Sequence, residues 1–380
     1  MANFLQKTSN FVFPRKKEVK SQFKLYDIGI ARTSAKLDDY LGAIESAINP
    51  ETQLRYRLYS FYERTLLYDT YTKGLIEKRL ENITNKNLVP YDLNGNKVEV
   101  LLPIANNLKF TEFIKDILML GKFWGLGLLE VLNLDVDEQT FDYGTIKPLY
   151  IDPYKKIVLD SPIASDGDKY DDRYNILEVG GEDDLGLLLN IVILSLYKRM
   201  AQFNYAKYVD LASENFTKLK VKDFGDEKQL QKVQQQINDT GARGTIQLPP
   251  HFDAELVNTS SSTQNALFEN YLKELKEELA IYILGQTMTT SDGSSRAQAE
   301  VHQEEQEDKF KSDERFIINS LQNKFNPILP EFGITNEINW VFELTDAQQN
   351  NINLRNYERL KDLGIEFTDE ELRNKFNHLL

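Results

Sequence analysis

A chain of 380 residues with 41% hydrophobic content is long enough to bury a large core, and its 19 tyrosines and 21 phenylalanines argue against disorder. The absence of cysteine removes disulfides, thiolate zinc sites and cysteine nucleophiles together. A net charge of −14 argues against a protein that grips DNA by its phosphates, because such a protein carries a basic stripe.

The N-terminal stretch carries Arg15, Lys16, Lys17, Lys20 and Lys24 but no apolar core of signal-peptide length. It reads as a basic arm over residues 1–36, a flexible tail or a segment that docks on an acidic neighbouring subunit. The longest apolar stretch, residues 185–196, falls short of the roughly 20 residues a membrane helix needs, and Gly186, Asn190 and Ser195 interrupt it. The expectation is a soluble protein with no membrane partner.

The first helix is expected to start at Asn49-Pro50-Glu51, an N-cap with proline at the first helical position. Leu54, Leu58, Phe61, Tyr62, Leu66, Leu75, Ile76, Leu80 and Ile83 carry it at helical spacing to about residue 85. Residues 97–102 alternate like a strand. Helix returns over 111–120 and ends at Gly121, Gly125 and Gly127. Residues 128–160 are strand-rich, 166–172 form an acidic loop, and a long helix is expected over 184–215. Its first half is apolar on all sides, which predicts that neighbouring subunits cover Leu187, Leu189, Ile191, Val192, Ile193 and Leu194.

A compact insert follows: a strand at 218–222, a helix at 227–238, and strands at 244–248 and 254–257. A second long helix opens at the capping box Ser261-Ser262-Thr263-Gln264, with an apolar face of Leu267, Phe268, Tyr271, Leu272, Leu275, Leu279 and Ile283. A short loop over 285–294, rich in Thr, Ser, Gly and Asp, leads to a third long helix. That helix starts at the capping box Ser295-Arg296-Ala297-Gln298, runs to about Asn326, and would be about 50 Å long. A strand at 338–344 and two helices close the chain.

The local sequence Ile283-Leu284-Gly285-Gln286-Thr287-Met288-Thr289-Thr290, then Gly293-Ser294-Ser295-Arg296-Ala297-Gln298-Ala299-Glu300-Val301-His302, resembles the tunnel-loop signature of the Mu-type portal proteins of tailed bacteriophages. Asn49-Pro50 before a Tyr-rich helix, and Trp124-Gly125-Leu126-Gly127, are similar to that family's wing. The resemblance covers roughly residues 40–345 and departs from the pattern at Glu214-Asn215-Phe216, where an aromatic-Gly-x-Pro element is expected.

The resemblance implies an α+β fold with a mixed α/β wing, a long-helix stem, a small αβββ clip and a short helical crown. The divisions it implies are an arm over 1–36, wing over 37–183, stem helix 184–215, clip 216–260, stem helix 261–284, tunnel loop 285–294, wing again over 295–345 and a reduced crown over 346–380. It further implies a homo-oligomeric ring, a dodecamer, at one capsid vertex. The partners would be the terminase large subunit, the major capsid and scaffold proteins, the head–tail connector, and double-stranded DNA passing through without specific binding. Thr287, Met288, Thr289, Thr290, Ser291, Asp292, Gly293 and Ser294 would line the channel. Residues 294–314 hold seven acidic and three basic side chains, and Glu300, Glu304 and Glu305 are expected to face inward.

Chemistry finds little support in the residues. Glu300, His302, Glu304, Glu305, Glu307 and Asp308 form an acidic stripe, but the Glu-x-x-His of a di-iron site fails because position 299 is alanine. Gly121, Gly125 and Gly127 are not followed by Gly-Lys-Ser/Thr, and Ser21-Gln22-Phe23-Lys24 has no supporting hydrolase motif. No catalytic residue, metal or cofactor is expected. Two alternatives stand beside the portal reading: another ring-forming virion component such as a head–tail adaptor, and an enzyme with a helical substrate domain.

Overall fold

The computed structural model describes residues 37–49, 55–213, 216–221, 231–232, 235, 252–257, 262–286 and 296–345. The first described element is α1 (Leu37–Ile48), which the sequence pattern did not single out. The expected helix to residue 85 is two: α2 (Tyr56–Tyr68) and α3 (Thr70–Thr84). Asp69 breaks them apart. Its backbone N–H still closes α2 on the Thr65 carbonyl, while its side chain accepts the Thr72 N–H and caps α3. A capping residue inside an otherwise continuous periodicity is what the pattern reading overlooked.

Strand β1 (Asn87–Tyr91) follows. Residues 97–102 are not a strand: Lys97 makes one isolated bridge to Tyr91, and the chain then turns helically through Glu99–Leu101 and Leu102–Ala105. Pro103 in that segment favours the first turn of a helix over a ladder. Helix α4 (Leu108–Leu118) is capped by Asn107 and widens into a π turn at Met119–Phe123. Gly121 therefore lies inside helical structure, and the turn ends at Trp124.

The strand-rich reading holds. Strands β2 (Leu126–Asp135), β3 (Thr140–Ile146), β4 (Ile151–Asp152), β5 (Ile157–Leu159), β6 (Gly167–Lys169) and β7 (Ile176–Gly180) form two antiparallel sheets, ordered β3-β2-β7 and β4-β5-β6. The acidic loop at 166–172 thus contributes an edge strand. Helix α5 (Leu188–Ser213), β8 (Phe216–Val221) and β9 (Phe252–Val257) come next, with β8 and β9 antiparallel. Residues 231, 232 and 235 are helical, as the insert pattern expects, and 244–248 lies outside the described residues.

Helices α6 (Ser262–Leu284) and α7 (Arg296–Ser320) follow. Helix α7 continues through a π turn at Leu321–Phe325 and a 3-10 segment at Asn326–Phe332. Strand β10 (Asn339–Glu343) then pairs antiparallel with β1, from Asn87 opposite Glu343 to Tyr91 opposite Asn339. The two expected C-terminal helices and the N-terminal arm lie outside the described residues.

One core joins helices α1 to α4, the β3-β2-β7 sheet, the start of α5, the last turns of α6 and the end of α7. At its centre Phe110, Phe113, Phe141, Phe325 and Trp340 pack ring to ring at 5.1–6.3 Å between centroids. Offset and edge contacts of this kind add to the area they bury. The start of α5 corrects an expectation. Leu188, Ile191, Val192 and Leu196 are buried in this chain's own core, and Leu187, Leu189, Ile193 and Leu194 pack against it. Helices α2 and α6 pack on α5, and Tyr40 of α1 reaches its Leu189 carbonyl, so a segment that sequence distance made look isolated is covered from within the chain.

Candidate channel segment

The candidate segment is the connection from α6 to α7. Its proximal root is α6, whose last turn is fully buried at Leu279, Ala280, Ile283 and Leu284. Gly285 ends the helix at φ +84°, a left-handed conformation that glycine adopts without penalty, and donates its N–H to the Ile281 carbonyl at 2.9 Å. Two cations also reach the carbonyls of this turn: Arg79 of α3 donates to Ile283 at 2.7 Å, and Lys309 of α7 to Tyr282 at 2.6 Å and to Ile281, which it shares with Gly285, at 2.9 Å. Cations at a helix C-terminus meet the negative end of its dipole.

The distal root is α7, anchored by Asp313. That carboxylate is fully buried and takes both prongs of the Arg79 guanidinium, at 2.6 and 2.8 Å, together with Lys122 of the π turn at 2.6 Å. Beside it Glu314 pairs with Lys86. Bidentate pairing of this kind fixes direction as well as distance.

Helices α5 and α6 are tied to the same body at a second buried centre. Asp69 accepts from Thr72 N–H at 3.1 Å, from Ser195 Oγ at 2.5 Å and from Lys198 Nζ at 2.5 Å. Burial pushes the Asp69 carboxyl up, but the Lys198 charge and these donors outweigh it and hold the group below the usual carboxylate range. The Lys198 ammonium also lies 4.8 Å from the centre of the Tyr71 ring, and the Tyr71 hydroxyl donates to the Lys276 carbonyl of α6 at 3.0 Å. Each of α5 and α6 is therefore held to the α2–α3 junction.

The approach to α5 is strapped by backbone acceptors. Tyr62 donates to Leu185 O at 2.7 Å and Tyr40 to Leu189 O at 2.6 Å, and Arg55 donates to the Asp184 and Glu182 carbonyls. Burial raises the pKa of both tyrosines, which keeps their hydroxyls as donors. The strap passes the residue before β2, where Gly125 meets Gly180 at the end of β7, both at positive φ. A Cβ on Gly125 would sit 2.5 Å from Asp184 O, and one on Gly180 only 2.0 Å from Gly125 O. Gly125 thus permits close backbone packing, while Gly121 and Gly127 leave room for the side chains of Phe316 and Leu120.

Of the residues singled out in the sequence, Thr287, Met288, Thr289, Thr290, Ser291, Asp292, Gly293 and Ser294 lie outside the described residues. Glu300, Glu304 and Glu305 fall within α7, and their side chains, like that of His302, lie outside as well. Among the described residues no group of three or more His, Asp and Glu side chains is arranged to hold a metal ion, and no helix is long and apolar enough to cross a membrane. Sequence reading missed Arg79, Asp313, Asp69 and Lys198. The available signal was a charge on an apolar stripe: Arg79 among Leu75, Ile76 and Ile83, and Asp313 four residues before Ile317.

Several solved structures are similar to this chain at low identity. A portal protein of the HK97 phage family from Corynebacterium diphtheriae aligns at 11% identity and a TM-score of 0.40, over 73% of this chain and 94% of its own. A chain from the neck of an empty gene transfer agent particle aligns at 11% and 0.48, over 88% and 92%. A chain from a native gene transfer agent virion aligns at 13% and 0.46, over 93% and 99%. No curated protein matches the sequence significantly. The family model for the portal protein of Mu bacteriophage matches residues 59–378, which takes in most of α2, all of α3 to α7, the α6–α7 connection and β10. The chain belongs to the Mu bacteriophage portal protein family.

Proposed function

We propose that this protein is the subunit of a ring at one vertex of a phage capsid, through which double-stranded DNA passes during packaging and ejection without specific binding. Helices α5 and α6 form the stem, residues 216–260 the clip that docks the terminase large subunit, and residues 285–294 the loop at the narrowest part of the channel. Residues 37–183 and 295–345 form the wing, in contact with major capsid and scaffold proteins, and 346–380 a reduced crown. The head–tail connector takes the motor's place once packaging ends. Twelve subunits are expected, and packaging energy comes from the motor, not from a site on this chain.

The observation that carries this reading, beside the family, is the surface of the stem. Beyond the wing, α5 exposes Tyr197, Met200 and Phe203, and α6 exposes Leu267 and Tyr271. Tyr205 and Phe268 meet between the two helices at 5.4 Å, so the pair is formed, yet Tyr197, Met200, Leu267 and Tyr271 stay exposed in the single chain. Apolar surface of this kind on a two-helix layer marks a contact with further protein. A head-to-tail ring of identical subunits supplies that contact without leaving an open end. This replaces residues 187–194 as the ground for assembly.

Class-averaged electron micrographs of purified protein should show closed rings, and a stable monomer at micromolar concentration by light scattering would overturn the reading. The channel assignment has its own test. Replacing Asp292 and Ser294 with lysine should leave rings intact and impair packaging or retention, because a wall of like charge keeps the duplex sliding. With no native cysteine to interfere, Asp292→Cys should crosslink to DNA in filled heads. Normal packaging together with absent crosslinking would remove the loop from the channel.

A further inference from the structure

The end of α6 and the body of α7 meet at Asp313. At the last turn of α6, Arg79 holds the Ile283 carbonyl at 2.7 Å while binding Asp313 with its other two nitrogens. Helix α7 carries Asp313 and, one turn earlier, Lys309 on the carbonyls of Ile281 and Tyr282. The same carboxylate takes Lys122, whose own backbone carbonyl accepts the Leu187 N–H at the start of α5. One side chain therefore links the end of α6, the body of α7 and the entry to α5.

The charges explain why the three parts hold together. Arg79 and Lys122 bring two cations to a single buried carboxylate, and the excess positive charge faces the carbonyl end of α6, the negative pole of that helix. Withdrawing the last turn of α6 would leave Arg79 buried with half its partners. Removing Asp313 would leave two cations side by side. The contact also fixes register. Residues 296–308 precede Lys309 on α7, so about 20 Å of helix lies on the loop side of the contact, at 1.5 Å per residue.

We propose that Asp313 is the positioning residue between α6 and α7, setting the register of α7 against the end of α6. Its consequence for DNA rests on the channel reading above; the positioning itself does not. Hydrogen exchange on assembled Asp313→Asn protein tests it. Amides of residues 281–286 and of the first half of α7 should exchange about tenfold to a hundredfold faster, the factor carried by loss of a charge-assisted hydrogen bond. Amides of β2 and β3 should keep wild-type rates.

A uniform rise across the chain would reduce Asp313 to a general stabilising residue and overturn the proposal, as would unchanged exchange at 281–286. If Asp313→Asn does not assemble, Lys122→Met decides. It keeps the Arg79–Asp313 pair and should loosen the same amides by a smaller factor, and wild-type exchange there would overturn the proposal. The DNA crosslink from Asp292→Cys is scored separately. Local release in Asp313→Asn without any crosslink in the Asp292→Cys protein would retain the positioning role and discard the channel role.

Discussion

Asp69 and Lys198 are both nearly fully buried, with the carboxylate receiving three donors and the ammonium facing an aromatic ring. Such a pair contributes modestly when intact, but removal of one partner strands a charge in a low-dielectric interior. Asp69→Ala should therefore cost roughly 3–5 kcal/mol in urea unfolding. Replacing both partners, with Asn at 69 and Met at 198, should recover a large part of that loss. Asp116 behaves in the opposite sense. Burial raises its pKa above the ordinary 3.8, against the hydrogen bond it accepts from Tyr143 at 2.8 Å. A carboxyl with a raised folded pKa adds stability below its unfolded pKa and loses it as pH climbs through the folded value. Asp116→Asn should then raise the melting temperature at pH 7 and leave it unchanged below about pH 3.5, once both forms are neutral. A gain of equal size at both pH values would show that charge is not the cause.

Among the elements, the two glycine environments separate packing from propensity. Gly42 lies within α1, and a Cβ added there would meet nothing within 4 Å, so Gly42→Ala should stabilise by about 0.5–1 kcal/mol through helix propensity alone. Gly125 has φ +84° and a backbone oxygen 2.5 Å from its Cβ direction. Gly125→Ala must move either β2 or the strap into α5, and should abolish soluble expression or lower the urea midpoint sharply. The α2–α3 pair makes the same point about signals. The apolar periodicity runs unbroken from Leu58 to Ile83, and only Asp69, followed three residues later by Thr72, marks the change of axis. That short capping signal decides the direction of α3, and with it the position of Arg79.

Across the whole molecule, β10 closes a fold that β1 begins some 250 residues earlier. Trp340 is 2% exposed, stacks on Phe110 at 5.5 Å, and donates its Nε1–H to Asn326 at 2.9 Å. Trp340→Ala should cost roughly 3–5 kcal/mol, from the buried ring and the cavity left behind. The loss should appear in the unfolding midpoint of the whole core and not as local fraying of the strand. If only β10 frayed, the 37–183 and 296–345 segments would be separate folding units.

The α+β class, the three long helices α5 to α7, the strands at either end of the insert and the family were legible in the amino-acid order. Each rests on local periodicity, capping boxes or a contiguous motif such as residues 283–302, and these survive without knowledge of neighbours. The covering of residues 187–194 by this chain's own helices was not legible there. Nor was the joining of Arg79, Lys122 and Asp313, or of Asp69, Ser195 and Lys198, into buried centres. A charge on an apolar stripe announces that it needs a partner, but which partner depends on how helices more than a hundred residues apart cross in the folded core.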